Sequence, residues 1–267
     1  MANASADATS LPSPLTAARL GTAPAAEATP GYAVRRLRIA LGTWIALEAT
    51  AASDTAARGA IESAYAAIAE LAWRLHPLRN GSDVARINAA PPGTRVPIHA
   101  SSARVLRLAH QIYALTDGVF DPCLPILPGR LGTLARSGDS PAGPAWALCH
   151  SPLALDLGGI AKGYAIDRAI EALRTARCTG GLVNAGGDLR VYGQSASILV
   201  RGADRTCEPL TLNNAALAVT DLDVDPGQRP AEHQGYYCHS RAAGPAPRFA
   251  AVMAPSQTTE SPSSSAR

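Results

Sequence analysis

The chain has 267 residues, of which 47% are hydrophobic and 17% are charged, and its formal net charge is +3. This length excludes a peptide or a metal-stapled mini-domain, and the sequence lacks the run of about 18 uncharged apolar residues that a membrane span needs. The mixed charge gives no broad basic surface of the kind that binds nucleic acid. We therefore expect a soluble globular protein without a transmembrane segment or a nucleic-acid partner.

The cysteines indicate neither a disulfide framework nor a structural zinc site. Their number is odd and they are widely spaced, without a Cys-x-x-Cys pair: Cys123, Cys149, Cys178, Cys207 and Cys238. Unpaired thiols are typical of a reducing compartment, which favours a cytoplasmic location. A secreted protein with one or two bridges stays open as an alternative.

The N-terminal third predicts a leader, a strand and a helix. Residues 1–33 are rich in Ala, Ser, Thr and Pro, and we expect a disordered leader without an export signal. Residues 35–47 combine arginines with a short apolar run, which superficially resembles a secretion signal, but the alternation with polar residues favours a first strand. Apolar residues spaced by three and four then predict a helix over 53–75, capped by Ser53 or Asp54.

The remaining pattern alternates helices with short strands. A short helical stretch ends near Asn88, a second long helix covers 101–116, and Asp117-Gly118 closes it. Residues 122–152 are rich in proline and glycine and predict a surface loop. A strand over 153–157, a helix over 164–177, a strand pair hinged at Gly186-Gly187, and strands at 197–201 and 215–220 follow, before a polar disordered tail at 257–267.

The segment from Asp156 to Ala165 carries the strongest chemical pattern. It contains Gly158-Gly159 and Lys162, the only lysine of the chain. A glycine-rich turn between a strand and a helix exposes backbone N–H groups to an anion, and a lysine adds a charge suited to phosphate. The spacing fits neither a Walker A loop nor a dinucleotide fingerprint. A tight turn with an incidental lysine is the equally simple alternative.

Two weaker patterns have plain structural interpretations when taken alone. Gly186-Gly187-Asp188 is typical of a bulge with a capping carboxylate. Gly118-Val119-Phe120-Asp121-Pro122 is typical of a packed aromatic followed by a proline turn.

Five segments in this order resemble the ApbE family of FAD:protein FMN transferases. They are Leu41-Gly42-Thr43, residues 81–88, residues 116–122, residues 156–165 and residues 184–189. The resemblance implies an α+β, T-fold-like single domain over 34–256, with β-sheets flanked by helices. It also implies that FAD and Mg²⁺ bind, and that FMN is transferred to a Thr or Ser hydroxyl of an acceptor flavoprotein with release of AMP.

The resemblance assigns roles residue by residue. It gives catalytic roles to Lys162, Asp188 and His239, and it makes the backbone carbonyl of Ala161 a metal ligand. The positions implied to contact the cofactor are Leu41, Leu78, Val119, Phe120, Asp121, Gly158, Gly159 and Tyr164. His239 has a surface loop position as its alternative, and Tyr164 a core position. The family also includes members that act outside the cytoplasm, and a homodimer stays open.

The C-terminal part departs from the family pattern. Val252-Met253-Ala254-Pro255-Ser256 matches the start of the family's metal motif, but Ser261 and Ser265 stand where the family has Asp and Thr. Glu260 is the nearby carboxylate, and a neutral hydroxyl compensates the charge of Mg²⁺ poorly. Either the end of the motif is lost or Glu260 replaces the missing ligand. An FAD pyrophosphatase and an FAD-binding protein without catalysis are therefore alternatives.

Overall fold

The computed structural model describes residues 31–137, 144–201, 206–221 and 249–255. The helices within these ranges are α1 (Asp54–Arg74), α2 (Asp83–Ala89), α3 (Ala100–Leu115) and α4 (Gly158–Thr175), with a short 3₁₀ helix at Leu131–Thr133. The strands are β1 (Tyr32–Ala40), β2 (Thr43–Ala51), β3 (Arg95–Pro97), β4 (Leu134–Arg136), β5 (Trp146–Cys149), β6 (Gly180–Ala185), β7 (Asp188–Tyr192), β8 (Ser195–Arg201), β9 (Cys207–Asn213), β10 (Ala215–Asp221) and β11 (Phe249–Pro255).

A six-stranded antiparallel sheet in the order β1-β2-β6-β7-β10-β11 forms the centre of the fold. Successive residues of β6 point to opposite faces, so Val183 joins the core beneath α1 and α4, whereas Leu182 joins a second core. The β8–β9 hairpin supplies Ile198 and Leu212 to that second core. This arrangement confirms the predicted α+β fold with sheets flanked by helices.

The first predicted strand is a hairpin. Strands β1 and β2 pair in register from Tyr32↔Ala51 to Ala40↔Thr43, which leaves a two-residue turn. Leu41 and Gly42 have φ values of 52° and 70°, as a type I′ turn requires. The sequence does not indicate this turn, because Leu41 occupies a position that usually carries Asn or Gly.

The long helices follow the sequence pattern. Ser53 caps α1 by accepting a hydrogen bond from the Ala56 N–H, and the predicted apolar stripe is buried. Helix α3 ends at Leu115 with Thr116 as its C-cap, after which Gly118 takes φ 76° and donates its N–H to the Tyr113 carbonyl. The start of α1 and the end of α3 are therefore fixed by the capping residues that the sequence indicates.

Three predictions for residues 122–164 are wrong. Helix α4 begins at Gly158 rather than Tyr164, because the Asp156 side chain accepts the Gly158 N–H at 2.8 Å and Ile160 is buried on the core side. The predicted surface loop at 122–152 contains β4 and β5, which form a small sheet with β3, and Leu131 and Leu134 within it are fully buried. The predicted strand at 153–157 is reduced to one bridge between Cys123 and Leu155.

In the described ranges, none of the helices combines the length and the apolar character that crossing a bilayer demands.

Candidate functional site

Three chain reversals meet at one end of the large sheet, beside the first turn of α4. One is the β1–β2 turn, the second is the Gly186-Gly187 turn between β6 and β7, and the third is the segment that follows α3. Gly159 lies against Phe120, since a Cβ placed on Gly159 would be 3.6 Å from the ring. We call this end of the molecule the candidate site.

Lys162 and Asp188 form an ion pair at the candidate site. The Lys162 ammonium lies 3.1 Å from the Asp188 carboxylate, and the two side chains are 38% and 17% exposed. The other carboxylate oxygen accepts the Val219 N–H at 3.2 Å. Asp188 is thus fixed to the neighbouring strand and orients the lysine, whose ammonium stays accessible to a dissolved anion.

The Gly186-Gly187 turn needs glycine for a steric reason. Gly186 has φ 67°, and a Cβ there would lie 2.5 Å from the Thr43 hydroxyl oxygen and 3.2 Å from the Thr43 Cβ. Its N–H donates to the Trp44 carbonyl, and Asn184 accepts the Gly187 N–H. Close approach of the two turns therefore holds Asp188 at the end of the sheet.

Asp121 serves the local backbone. Its carboxylate is buried and accepts the N–H groups of Cys123 at 2.9 Å and Leu131 at 3.3 Å. Burial, together with this neighbouring carboxylate, raises the pKa of the Cys123 thiol. Of the two residues that precede this anchor, Val119 is exposed and Phe120 is half-buried.

Asn88 positions the chain that leads into α4, a role that its sequence motif does not indicate. Its side-chain amide donates to the Leu155 carbonyl at 2.9 Å and accepts the Leu155 N–H at 2.8 Å. On the other side, the Asp156 N–H donates to the Pro122 carbonyl. Residues 155–156 are therefore clamped between Asn88 and the segment after Asp121. In the sequence, the one indication of this role is that Asn88 ends the 81–88 segment.

The other predicted site residues are less tightly gathered. Leu41 lies in the β1–β2 turn, Leu78 is 79% exposed after α1, and Tyr164 is half-buried against the main core. His239, Glu260, Ser261 and Ser265 fall outside the described residues. Their roles stay predictions.

The site suits an anion better than it suits a metal. At the start of α4 the Asp156 carboxylate accepts the Gly158 N–H, and the N-cap residue Leu157 adds no side-chain bond. The other N–H groups of the first turn and the Lys162 ammonium are the groups that can attract an anion. Within the described ranges, no group of three acidic, His or Cys side chains is placed to hold a metal ion. The Ala161 carbonyl is one hard donor, and Asp188 is already paired with Lys162. These residues alone do not make a magnesium site.

The sequence matches the family model described as "ApbE family" over residues 41–220, which is more than half of the chain. The chain belongs to the ApbE family. A search of curated proteins returns no match.

Solved ApbE structures share the fold. The apo form of the flavinyl transferase ApbE from Pseudomonas stutzeri superposes with a TM-score of 0.63 at 20% identity, covering 73% of this chain and 71% of that one. The ApbE protein of Thermotoga maritima gives 0.59 at 22% identity, with 72% and 71% covered. The flavin transferase ApbE of Vibrio cholerae gives 0.60 at 16% identity, with 72% of each chain covered. At such identities the likeness concerns the fold.

Proposed function

We propose that this ApbE protein transfers the FMN part of FAD to a Thr or Ser hydroxyl of an acceptor protein. The observation that carries the proposal is the Lys162–Asp188 ion pair beside the glycine-rich start of α4. The solved structures from Pseudomonas stutzeri and Vibrio cholerae are named as flavinyl or flavin transferases, which supports the same reaction class.

The proposed reaction exchanges one phosphorus–oxygen bond for another. The acceptor oxygen bonds to the phosphorus of the FMN half, the bond to the AMP half breaks, and AMP leaves with that electron pair while the hydroxyl proton passes to solvent. Lys162 and the positive end of α4 neutralise negative charge on the diphosphate. Phe120 offers a ring beside Gly159 for the bound nucleotide.

Magnesium belongs to the proposal as the cation that the family pattern implies. When bound, it would polarise the diphosphate oxygens. In this chain the Ala161 carbonyl is the proposed donor inside the described residues, and Glu260, Ser261 and Ser265 are the proposed donors outside them.

A direct test mixes the purified protein with FAD, MgCl₂ and a synthetic peptide that contains one threonine. We expect the peptide to gain the mass of an FMN group and AMP to appear in equal amount. An unmodified peptide with no AMP would contradict it. Free FMN and AMP without peptide modification would identify an FAD pyrophosphatase.

A second candidate is an FAD-binding protein without turnover. It is favoured by the serines at positions 261 and 265, where the family pattern has Asp and Thr. The described part of the chain also supplies no group of three metal-ligating side chains. FAD that stays bound and intact in excess magnesium would identify this function.

A further inference from the structure

An apolar surface lies open on the β1–β2 hairpin. Leu37, Ile39 and Trp44 are 59%, 69% and 53% exposed. Ile39 is paired directly with Trp44, and Leu37 is two residues along the same strand, so the three side chains share one face of the sheet. We call these three residues the hairpin patch.

The hairpin inverts the usual distribution of polar and apolar residues. On the face covered by α1, Arg38 forms an ion pair with Glu62 and lies over the Tyr65 ring at 4.4 Å. On the open face, where an antiparallel sheet normally carries polar side chains, the hairpin patch is apolar. An apolar cluster left on the solvent side of a strand pair marks a surface that another molecule covers.

The central part of that face is already covered within the described structure. Leu182 of β6 is paired with Glu48 of β2 and therefore points to the same side as Trp44. Leu182 is buried by Ile198 and Leu212 of the β8–β9 hairpin. The β8–β9 hairpin thus covers the central strands, and the hairpin patch continues the same face toward the edge strand.

The hairpin patch reaches the end of the sheet at which the candidate site lies. The Trp44 carbonyl accepts the Gly186 N–H at 3.2 Å, and Thr43 packs on Gly186. Two residues further, Asp188 holds Lys162. Asp188 is paired with Ala185 of the main core, so it and Lys162 lie on the helix side of the sheet, and the hairpin patch lies on the other side. A molecule bound on the patch therefore reaches the diphosphate-binding residues around the β1–β2 turn.

Charge indicates the chemistry of the molecule that binds. Among the described residues neither Arg35 nor Arg36 forms an ion pair with an acid, and the Arg36 guanidinium donates to the Arg35 carbonyl. Arg35 lies on the face of the hairpin patch, whereas Arg36 is paired with Leu47 and lies on the α1 face. A second copy on the patch would add another Arg35 to this face, which disfavours a dimer. Carboxylates on an extended partner would compensate Arg35 and Arg36. Strand β1 is also the edge of the described sheet, so it offers backbone groups to an extended segment.

We propose that the hairpin patch and the edge of β1 bind the acceptor protein, through an extended segment in which apolar side chains alternate with carboxylates. This inference rests on the proposed transfer to a protein hydroxyl. It adds a docking surface outside the nucleotide site. Binding on this surface selects which acceptor hydroxyls reach the FMN phosphorus.

Peptide binding tests the docking surface without requiring turnover. Two fluorescein-labelled peptides of equal length end in the same threonine-containing segment. In the apolar acidic peptide, leucine and valine alternating with aspartate precede that segment. In the control peptide, only serine precedes it. Fluorescence anisotropy should show the apolar acidic peptide binding at least about tenfold more tightly. The Leu37→Thr/Ile39→Thr variant should lose that preference, and Arg35→Gln should weaken binding and reduce its dependence on salt.

Control variants separate docking from folding and from the nucleotide site. Leu199→Thr changes another exposed strand residue, on β8, and should bind both peptides as the unaltered protein does. FAD binding, followed by flavin fluorescence, should be equal in all variants, because the hairpin patch does not contact Lys162. Threonine keeps the strand preference at both changed positions.

The outcomes distinguish this inference from the proposed function. Equal peptide binding by the double variant and the unaltered protein would overturn the docking surface, whether or not either protein transfers FMN. Selective loss of cosedimentation with phosphatidylserine vesicles would instead assign the patch to a membrane surface. Loss of a dimer in light scattering would assign it to a second copy. Absence of transfer with intact peptide preference would overturn the proposed function alone.

Discussion

Replacing Asn88 with alanine tests how the candidate site is held in place. The change removes both partners of Leu155, whose N–H and carbonyl are bonded to the Asn88 amide at 2.8 and 2.9 Å. A buried polar group left without a partner costs about 1–3 kcal/mol. Since the pair is partly buried, we expect the free energy of unfolding to fall by about 2–4 kcal/mol.

Urea denaturation followed by circular dichroism measures this loss, and FAD fluorescence measures its effect on the site. We expect FAD affinity to fall as well, because Leu155 leads into the start of α4. Asn213→Ala is the matched control, since Asn213 is exposed and accepts a bond from its neighbour Asn214. A loss below about 0.5 kcal/mol for Asn88→Ala would refute the clamp, because surface substitutions have effects of that size.

Gly186→Ala should destabilise the protein by about 2 kcal/mol or more, because the left-handed backbone and the nearby Thr43 both oppose a Cβ. Gly59→Ala in α1, where a Cβ meets open space, should instead stabilise the protein. Equal effects of the two variants on thermal unfolding would contradict the turn geometry. Burial lowers the pKa of His110 below its ordinary value of 6.5, so the unfolded state binds more protons and stability should fall as the pH drops below about 6.5. His110→Leu should remove that component; an unchanged pH profile would be evidence against it. Burial raises the pKa of the Cys123, Cys149 and Cys178 thiols, so iodoacetamide at pH 8 should modify exposed Cys207 well before these three, as peptide mass spectrometry would show.

Periodicity predicted the elements whose apolar stripe is long. Helix α1 has its buried residues at the expected spacing, and the capping residues Ser53 and Gly118 lie where the chain changes direction. The β1–β2 turn was missed because Leu41 adopts positive φ, which its residue type does not indicate. The small sheet of β3, β4 and β5 was missed because strands of three or four residues are too short to show a period.

The order of the five motifs along the chain predicted the site better than any single motif did. It assigned Lys162 and Asp188 to one site, and the structure places them in contact. It did not predict that the Asp121 carboxylate accepts backbone N–H groups, because that contact lies within an irregular loop. Nor did it predict that Asn88 binds the backbone of Leu155, because these residues are far apart in the chain. The cytoplasmic location and the roles of residues outside the described ranges stay predictions.

Equilibrium binding of FAD to Lys162→Met tests the central claim most directly. A charge-assisted hydrogen bond contributes about 1.5–3 kcal/mol, so removing the Lys162 ammonium should weaken FAD binding by roughly tenfold to a hundredfold in a fluorescence titration. Arg168→Met removes a cation of the same helix that is paired with Glu171, and it should leave FAD affinity unchanged. Equal FAD affinity in Lys162→Met and the unaltered protein would contradict the assignment of this site.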